Sequence, residues 1–414
     1  MEHLRGAAVV GQSGGPTAAI NATLAGVIEG YFDQKNKSDT ITGLYGMRNG
    51  IEGFLNERLC DLDSIFSNPD GSLDREKEEL LIHTPAAALG SCRKKLPRVS
   101  DDIAFYEGLV TLFKKYDIRY FFYIGGNDSM DTVAKLSEYL RQSDYRMVAV
   151  GIPKTIDNDL AGTDHTPGYG SAAKYIASTV QEIVRDCAVY TSRAVTIVEI
   201  MGRDAGWLTA AAALPKYAPD YVYLPELPFS MDRFFEDIEE AFTHHPNLVI
   251  AVSEGLRFEN GHYVGEGTQT GVADVFGHKY LSGTGKALEL AVKERFGCKV
   301  RSVELNLPQR CAAHLASRTD LDESVETGKN GILAALSGKS GSMVAAVRST
   351  GEYSVSFEAA DISKIANAVR AVPRSYINEQ GNNVTDECLS YIRPLIMGEV
   401  SPRYEDGLPV HFVI

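Results

Sequence analysis

One tryptophan, six cysteines without a C-x-x-C pair and no excess of positive charge are what this chain does without. The scattered cysteines (Cys60, Cys92, Cys187, Cys298, Cys311, Cys388) exclude a small disulfide scaffold and read as free thiols in a reducing compartment. With 41 basic against 55 acidic side chains, the formal charge of −14 repels a polyphosphate backbone. The densest basic cluster, Arg93-Lys94-Lys95, is short, so no nucleic-acid partner is expected. No apolar run approaches the ~18 residues of a membrane span. The opening Met-Glu-His-Leu-Arg-Gly-Ala-Ala-Val-Val reaches glycine-rich sequence before a signal core develops. A soluble, cytoplasmic protein without a membrane partner is the expectation.

What is present suits a large enzyme. Its 414 residues suggest two or three domains, or one α/β unit with two lobes, and 44% hydrophobic residues allow sizeable cores. Short β-branched or aromatic runs lead into glycine-rich turns and then helical patterns. Ala7–Val10 precedes a turn and a helix over Thr17–Tyr31. Tyr120–Ile124 precedes a turn and a helix over Met130–Arg141. Met147–Ile152 precedes the loop Pro153–Tyr169 and a helix over Ser171–Ala188. Ala194–Ile200, Leu248–Val252 and Val300–Leu305 are further strand candidates. This alternation predicts an α/β fold of two Rossmann-like lobes, with mainly parallel sheets facing one cleft. Asn56–Pro97 reads as an inserted loop-helix segment, while Ser354–Arg370 and Tyr376–Ile414 carry no clear pattern.

Three motifs are decoys. Gly11-Gln12-Ser13-Gly14-Gly15 fits the G-x-S-x-G nucleophile elbow, but only about ten residues precede it, too few for the strands that support a hydrolase elbow. An anion-cradling turn is the better reading of Ser13 and its neighbours. Gly283-Thr284-Gly285-Lys286-Ala287 resembles the end of a P-loop, yet Tyr280 replaces the required glycine and Ala287 the magnesium-binding hydroxyl. His244-His245 lacks partners at metal-ligand spacing and reads as a solvated helix end.

Four stretches carry more weight together. Gly14-Gly15-Pro16 and Gly125-Gly126-Asn127-Asp128-Ser129 each place backbone N–H groups before a helix, where phosphate oxygens are attracted. Pro153-Lys154-Thr155-Ile156-Asp157-Asn158-Asp159 packs a cation, two carboxylates and an amide into one strand-end loop. It is either a solvated Asx-stabilised turn or a general base with an orienting partner. Met201-Gly202-Arg203-Asp204-Ala205-Gly206-Trp207 offers a close backbone approach at Gly202 and a guanidinium fork at Arg203, with Trp207 read as core packing.

GQSGGPTAAIN, GSCRKK, GGNDS, PKTIDND, MGRDAGWL and Ser253-Glu254-Gly255, in this order over residues 7–320, resemble the phosphofructokinase family. Gly-Gly-x-Gly turns also occur in lipid and NAD kinases; TIDND and MGR point away from those. The resemblance implies a phosphoryl-donor lobe over 1–160 with a return segment about 310–375, a fructose 6-phosphate lobe over 161–309, and a C-terminal extension over 376–414. It implies that Gly14, Gly15, Arg93, Gly126, Asp128, Ser129 and Lys154 meet the donor, and that Asn127 and Asp128 lie beside Mg²⁺. It gives Thr155, Asp157, Asp159, Met201, Gly202, Arg203, Glu254, Arg301 and Arg310 to the sugar phosphate. Asp157 is then the base for the C1 hydroxyl, with Lys154 and Arg203 as its catalytic partners.

Two positions speak to the donor. ATP-using members generally carry glycine where Asp128 and Lys154 stand here, and pyrophosphate-dependent members carry these residues. A carboxylate near a nucleotide α-phosphate adds repulsion of ~4 kcal/mol at ~4 Å and an effective dielectric of ~20. Lys154 would meet a leaving phosphate that has no adenosine to be gripped. The expectation is phosphoryl transfer from pyrophosphate to fructose 6-phosphate in a homodimer or homotetramer. An ATP-dependent enzyme, a serine hydrolase using Ser13 and a silent sugar-phosphate sensor are the alternatives. Asn127, Ala194 and Leu307 depart from the ATP-using pattern, and Arg193 is the neighbour that could stand in for an arginine at 194.

Overall fold

The computed structural model describes residues 4–35, 37–266, 283–366 and 368–414; Tyr280 lies outside them. Two sheets organise the chain. The first five strands are β1 (Gly6–Gln12), β2 (Ile41–Met47), β3 (Leu59–Asp61), β4 (Ile118–Gly125) and β5 (Val148–Pro153). Four more, β6 (Ala194–Ile200), β7 (Tyr221–Tyr223), β8 (Asn247–Ser253) and β9 (Lys299–Glu304), make a separate parallel sheet in the order β7-β8-β6-β9. The chain then returns with β10 (Ser342–Arg348) and β11 (Val355–Asp361) to complete a seven-stranded sheet, β11-β10-β5-β4-β1-β2-β3. That sheet is parallel except at its ends, where β3 and β11 run antiparallel to their neighbours.

The central strands β1, β4 and β5 are almost wholly buried because helices cover both faces. Every residue of β1 and of β5 is buried. Side chains alternate between the faces: Val9, Phe121, Tyr123 and Ala149 enter one core, whereas Val10, Phe122, Ile124 and Val150 enter the other. The helix Ile20–Lys35 covers the second face and packs against the returning helix Arg318–Leu336. The six strands expected from sequence are all present, within a few residues of their expected ends.

The segment that carried no pattern at 354–370 holds β11, and the C-terminal stretch spans both lobes. Tyr391, Ile392 and Leu395 join Tyr169 and Trp207 in the core of the smaller lobe. Farther on, Phe412 lies 5.2 Å from the Phe66 ring, and Arg48 Nη1 donates to the Ile414 carbonyl at 3.0 Å, both on the larger lobe. Trp207 is fully buried and its indole N–H donates to the Arg370 carbonyl at 2.9 Å, which is a packing role.

Candidate active site

The residues just past the carboxyl ends of β1, β4, β5, β6 and β8 line one cleft of about 520 Å³, the position where open parallel sheets bind ligands. The turn after β1 is pinned from two sides. Ser13 N–H donates to Ile124 O at 2.9 Å, and Gly14 N–H donates to Cys92 O at 3.1 Å. Gly14 has φ of 78°, and a Cβ there would sit 3.4 Å from the Lys154 ammonium. The Ser91 hydroxyl donates to Gly14 O at 2.6 Å, so the GSCRKK segment is held against the turn and brings Arg93 and Lys95 to the cleft.

Lys154 lies at the end of β5 and is buried; its ammonium donates to the Gly15 carbonyl at 2.6 Å. Burial lowers its pKa to about 8, against the nearby charge of Asp157, which acts the other way. Asp128 does not pair with Lys154. It pairs with Lys95 at 3.2 Å.

Asp157 accepts from the Thr155 hydroxyl at 3.4 Å, while its own N–H donates to that hydroxyl at 3.1 Å. Burial raises the Asp157 pKa, with Lys154 the largest opposing charge. Asp159 is pushed up to about 7, by burial first and by Asp157 second. Asn127 reaches Asp159 through its amide at 3.5 Å and leaves Oδ1 buried without a hydrogen-bond partner. Glu254 follows β8 and accepts from Gly202 N–H at 3.3 Å; burial lifts its pKa to about 8. The Arg203 Nε is buried without a partner. Five cations (Arg93, Lys95, Lys154, Arg203, Arg310) thus share the lining with five carboxylates (Asp128, Asp157, Asp159, Asp204, Glu254).

Of the residues named from sequence, Gly14, Gly15, Arg93, Gly126, Asn127, Asp128, Ser129, Lys154, Thr155, Asp157, Asp159, Met201, Arg203, Glu254 and Arg310 all line this cleft. Gly202 and Arg301 do not. Gly202 turns the chain at φ 127°, where a Cβ would press within 2.6 Å of Ala205 O. Arg301 is exposed on the outer strand β9. Arg193 lies over the Phe242 ring at 4.9 Å, and Leu307 is exposed.

Sequence reasoning passed over Lys95, Asp204 and Gln309. The last accepts from Met201 N–H at 3.1 Å and leaves Nε2 buried and unpartnered. Its position one residue before Arg310 was the available signal.

The decoys resolve in physical terms. Ser13 donates its hydroxyl to Cys92 O at 3.3 Å, and no histidine lines the cleft among the described residues. In the P-loop-like stretch, Gly285 N–H already donates to Glu199 at 2.6 Å, and Lys286 pairs with Glu289. His245 bonds Asp220 at 2.8 Å and the Asn247 carbonyl at 2.8 Å.

The phosphofructokinase family model matches residues 7–314. A pyrophosphate–fructose 6-phosphate 1-phosphotransferase of Methylococcus capsulatus is 41% identical over 406 residues, covering 96% of this chain and 93% of its own. The protein of the same name from Halomonas elongata is 40% identical, again over 96% and 93% of the two chains. A crystal structure of a pyrophosphate-dependent phosphofructokinase from Nitrosospira multiformis superposes with a TM-score of 0.86 at 35% identity, covering 99% of this chain and 96% of that one. With its two sheets, its shared cleft and these relatives, the chain belongs to the phosphofructokinase family.

Proposed function

We propose that the chain transfers the terminal phosphoryl group of inorganic pyrophosphate to the C1 hydroxyl of D-fructose 6-phosphate, reversibly, giving fructose 1,6-bisphosphate and phosphate. The observation that carries this reading is Lys154. Its buried ammonium reaches the Gly15 carbonyl in the donor turn, three residues before Asp157 in the same loop. One short segment therefore holds a cation for the phosphate and a carboxylate for the hydroxyl.

Asp157 takes the proton from the C1 hydroxyl as that oxygen attacks the terminal phosphorus in line. Lys154 and Arg203 stabilise charge on the transferring group, and no protein nucleophile is required. Gly14, Gly15, Arg93, Gly126, Asp128 and Ser129 bind the donor. Thr155, Asp159, Met201, Glu254 and Arg310 bind the sugar phosphate, and Gly202 turns the chain beside them. The donor side belongs to the larger lobe, over 1–160 and about 310–375; the sugar side belongs to 161–309. Donor and product phosphate are both simple ions, so the step is readily reversible and suits either glycolysis or gluconeogenesis.

The residues fit Mg²⁺. The described residues hold no group of three or more His, Cys, Asp or Glu placed for a metal, and an ion here would take most of its ligands from substrate oxygens, as Mg²⁺ commonly does. The unpartnered Asn127 Oδ1 and the Asp128 carboxylate are the protein groups that would hold it. When bound, it neutralises charge on the phosphoryl oxygens.

Arg301, exposed on β9 away from the cleft, suits sugar sites shared between subunits of a homodimer or homotetramer. No helix among the described residues is long and apolar enough to cross a membrane.

The test is fructose 1,6-bisphosphate formation from fructose 6-phosphate and Mg²⁺, with pyrophosphate or ATP supplied separately. Turnover with pyrophosphate alone supports the assignment. Turnover with ATP alone keeps the base and discards the donor, and silence with both favours a sugar-phosphate sensor.

A further inference from the structure

The loop that carries Asp157 and Asp159 is held from behind by residues far along the chain. Asn158, between the two carboxylates, is fully buried and left-handed at φ 52°, a conformation that needs local support in a non-glycine residue. Its side-chain carbonyl accepts from Thr166 N–H at 3.2 Å. Its amide donates to the Tyr391 hydroxyl at 3.0 Å.

A phenolic hydroxyl has one proton to give and two lone pairs to receive. Tyr391 uses all three on this loop and its supports. It donates to Asp164 O at 2.6 Å and accepts from Asn158 and from Arg370 Nη2, the latter at 3.2 Å. Arg370 in turn donates its backbone N–H to Asp159 O at 2.7 Å and a guanidinium N–H to Asp164 O. Arg348 donates to the Tyr391 carbonyl at 2.9 Å and to the Asp164 carboxylate at 3.0 Å. Arg348, Arg370 and Tyr391 all lie beyond the residues 7–314 that the family model covers.

We propose that Tyr391 is a positioning residue for phosphoryl transfer: its hydroxyl, through Asn158 and Asp164, fixes the backbone that aims Asp157 and Asp159 into the cleft. Tyr391 therefore acts on the reaction without touching substrate. This inference rests on the proposed role of Asp157. Its physical basis is that the hydroxyl satisfies a fully buried amide; without it, Asn158 Nδ2 loses its partner and the strained loop has a reason to rearrange.

Tyr391→Phe removes one oxygen and little else. Assayed with whichever donor the unaltered chain turns over, it is expected to lower kcat about ten- to a hundredfold, with KM for fructose 6-phosphate within about twofold. Amide hydrogen exchange over residues 154–168 is expected to quicken. Leu395→Ala opens a cavity in the same segment and is the control for stability alone. It should lower the thermal midpoint at least as far, yet keep kcat within about twofold below that midpoint. Arg370→Lys, which keeps a donor for Asp164 O, should retain more activity than Arg370→Met. Unaltered kcat and exchange in Tyr391→Phe overturn the proposal, as does an equal loss of kcat in Leu395→Ala. If the unaltered chain is inactive with both donors, the functional reading fails separately, and the exchange measurement decides this inference by itself.

Discussion

Lys154 and Gly15 meet at 2.6 Å, ammonium to carbonyl, so the end of β5 is tied to the turn after β1 at the floor of the cleft. The contact fixes where a buried cation sits relative to the donor. Replacing Lys154 with Met should lower kcat/KM for pyrophosphate by about 10²–10³-fold, the usual scale for losing one preorganised charge at a transferring group. Steady-state assays over a pyrophosphate series would check this; a change under threefold would remove Lys154 from the mechanism.

Donor choice has its own test. Asp128→Gly with Lys154→Gly should raise the ratio of ATP to pyrophosphate turnover, because the carboxylate that repels an α-phosphate is gone. The Lys95 pairing weakens but does not remove that charge. An unchanged ratio in the double variant would show that donor selection lies elsewhere.

Asp157→Ala should abolish turnover while leaving fructose 6-phosphate affinity within about threefold, since a base acts in the transition state. Titration calorimetry against the variant supplies the binding arm. Parallel loss of affinity and rate would make Asp157 a binding group.

The pH profile follows from charge. Asp157 must be ionised to accept a proton, and burial raises its pKa, so kcat/KM should fall on the acid side above the ordinary carboxylate range. Asp159, at about 7, titrates with it, and the apparent acid limb belongs to the pair. On the alkaline side Lys154 loses its charge near 8, so the rate should fall there as well. Asp159→Asn removes a neighbouring negative charge and should move the acid limb to lower pH. Movement to higher pH, or none, would contradict this electrostatic account.

Chelation of Mg²⁺ should stop turnover, and Asn127→Ala should raise the Mg²⁺ concentration needed for half-maximal rate. The basis is the buried, unpartnered Oδ1 of Asn127. An identical Mg²⁺ dependence in the variant would leave that oxygen without a metal role.

Much of the cleft was legible because its residues cluster in short strand-end motifs. Glycines, Lys154, Asp157 and Arg203 each sit within a few residues of an apolar run that reads as a strand. β10 was not legible: Ser342–Arg348 reads S-M-V-A-A-V-R, and its two alanines suit a helix as well as a buried strand. β11 is an edge strand without a fully buried residue, so its hydrophobic signal is weak. Tyr221–Tyr223 is only three residues long. The Lys95–Asp128 pair and the Tyr391–Asn158 bond join positions 33 and 233 apart in sequence, and no spacing rule reaches that far.

The return of the chain to the larger sheet has a consequence during synthesis. Strand β10 pairs beside β5 through Ser342–Val150 and Met343–Gly151. About 190 residues separate those strands, including all four strands of the smaller sheet. At ~5–20 residues per second, the ribosome needs about 10–40 s to cover that distance. Throughout that interval β5 has a free edge, the kind of surface that recruits other chains. The four strands of the smaller sheet, contiguous in sequence, can be made while the larger sheet is still two strands short, so nascent chains stopped near residue 340 should aggregate through β5 more readily than those extended past Asp361.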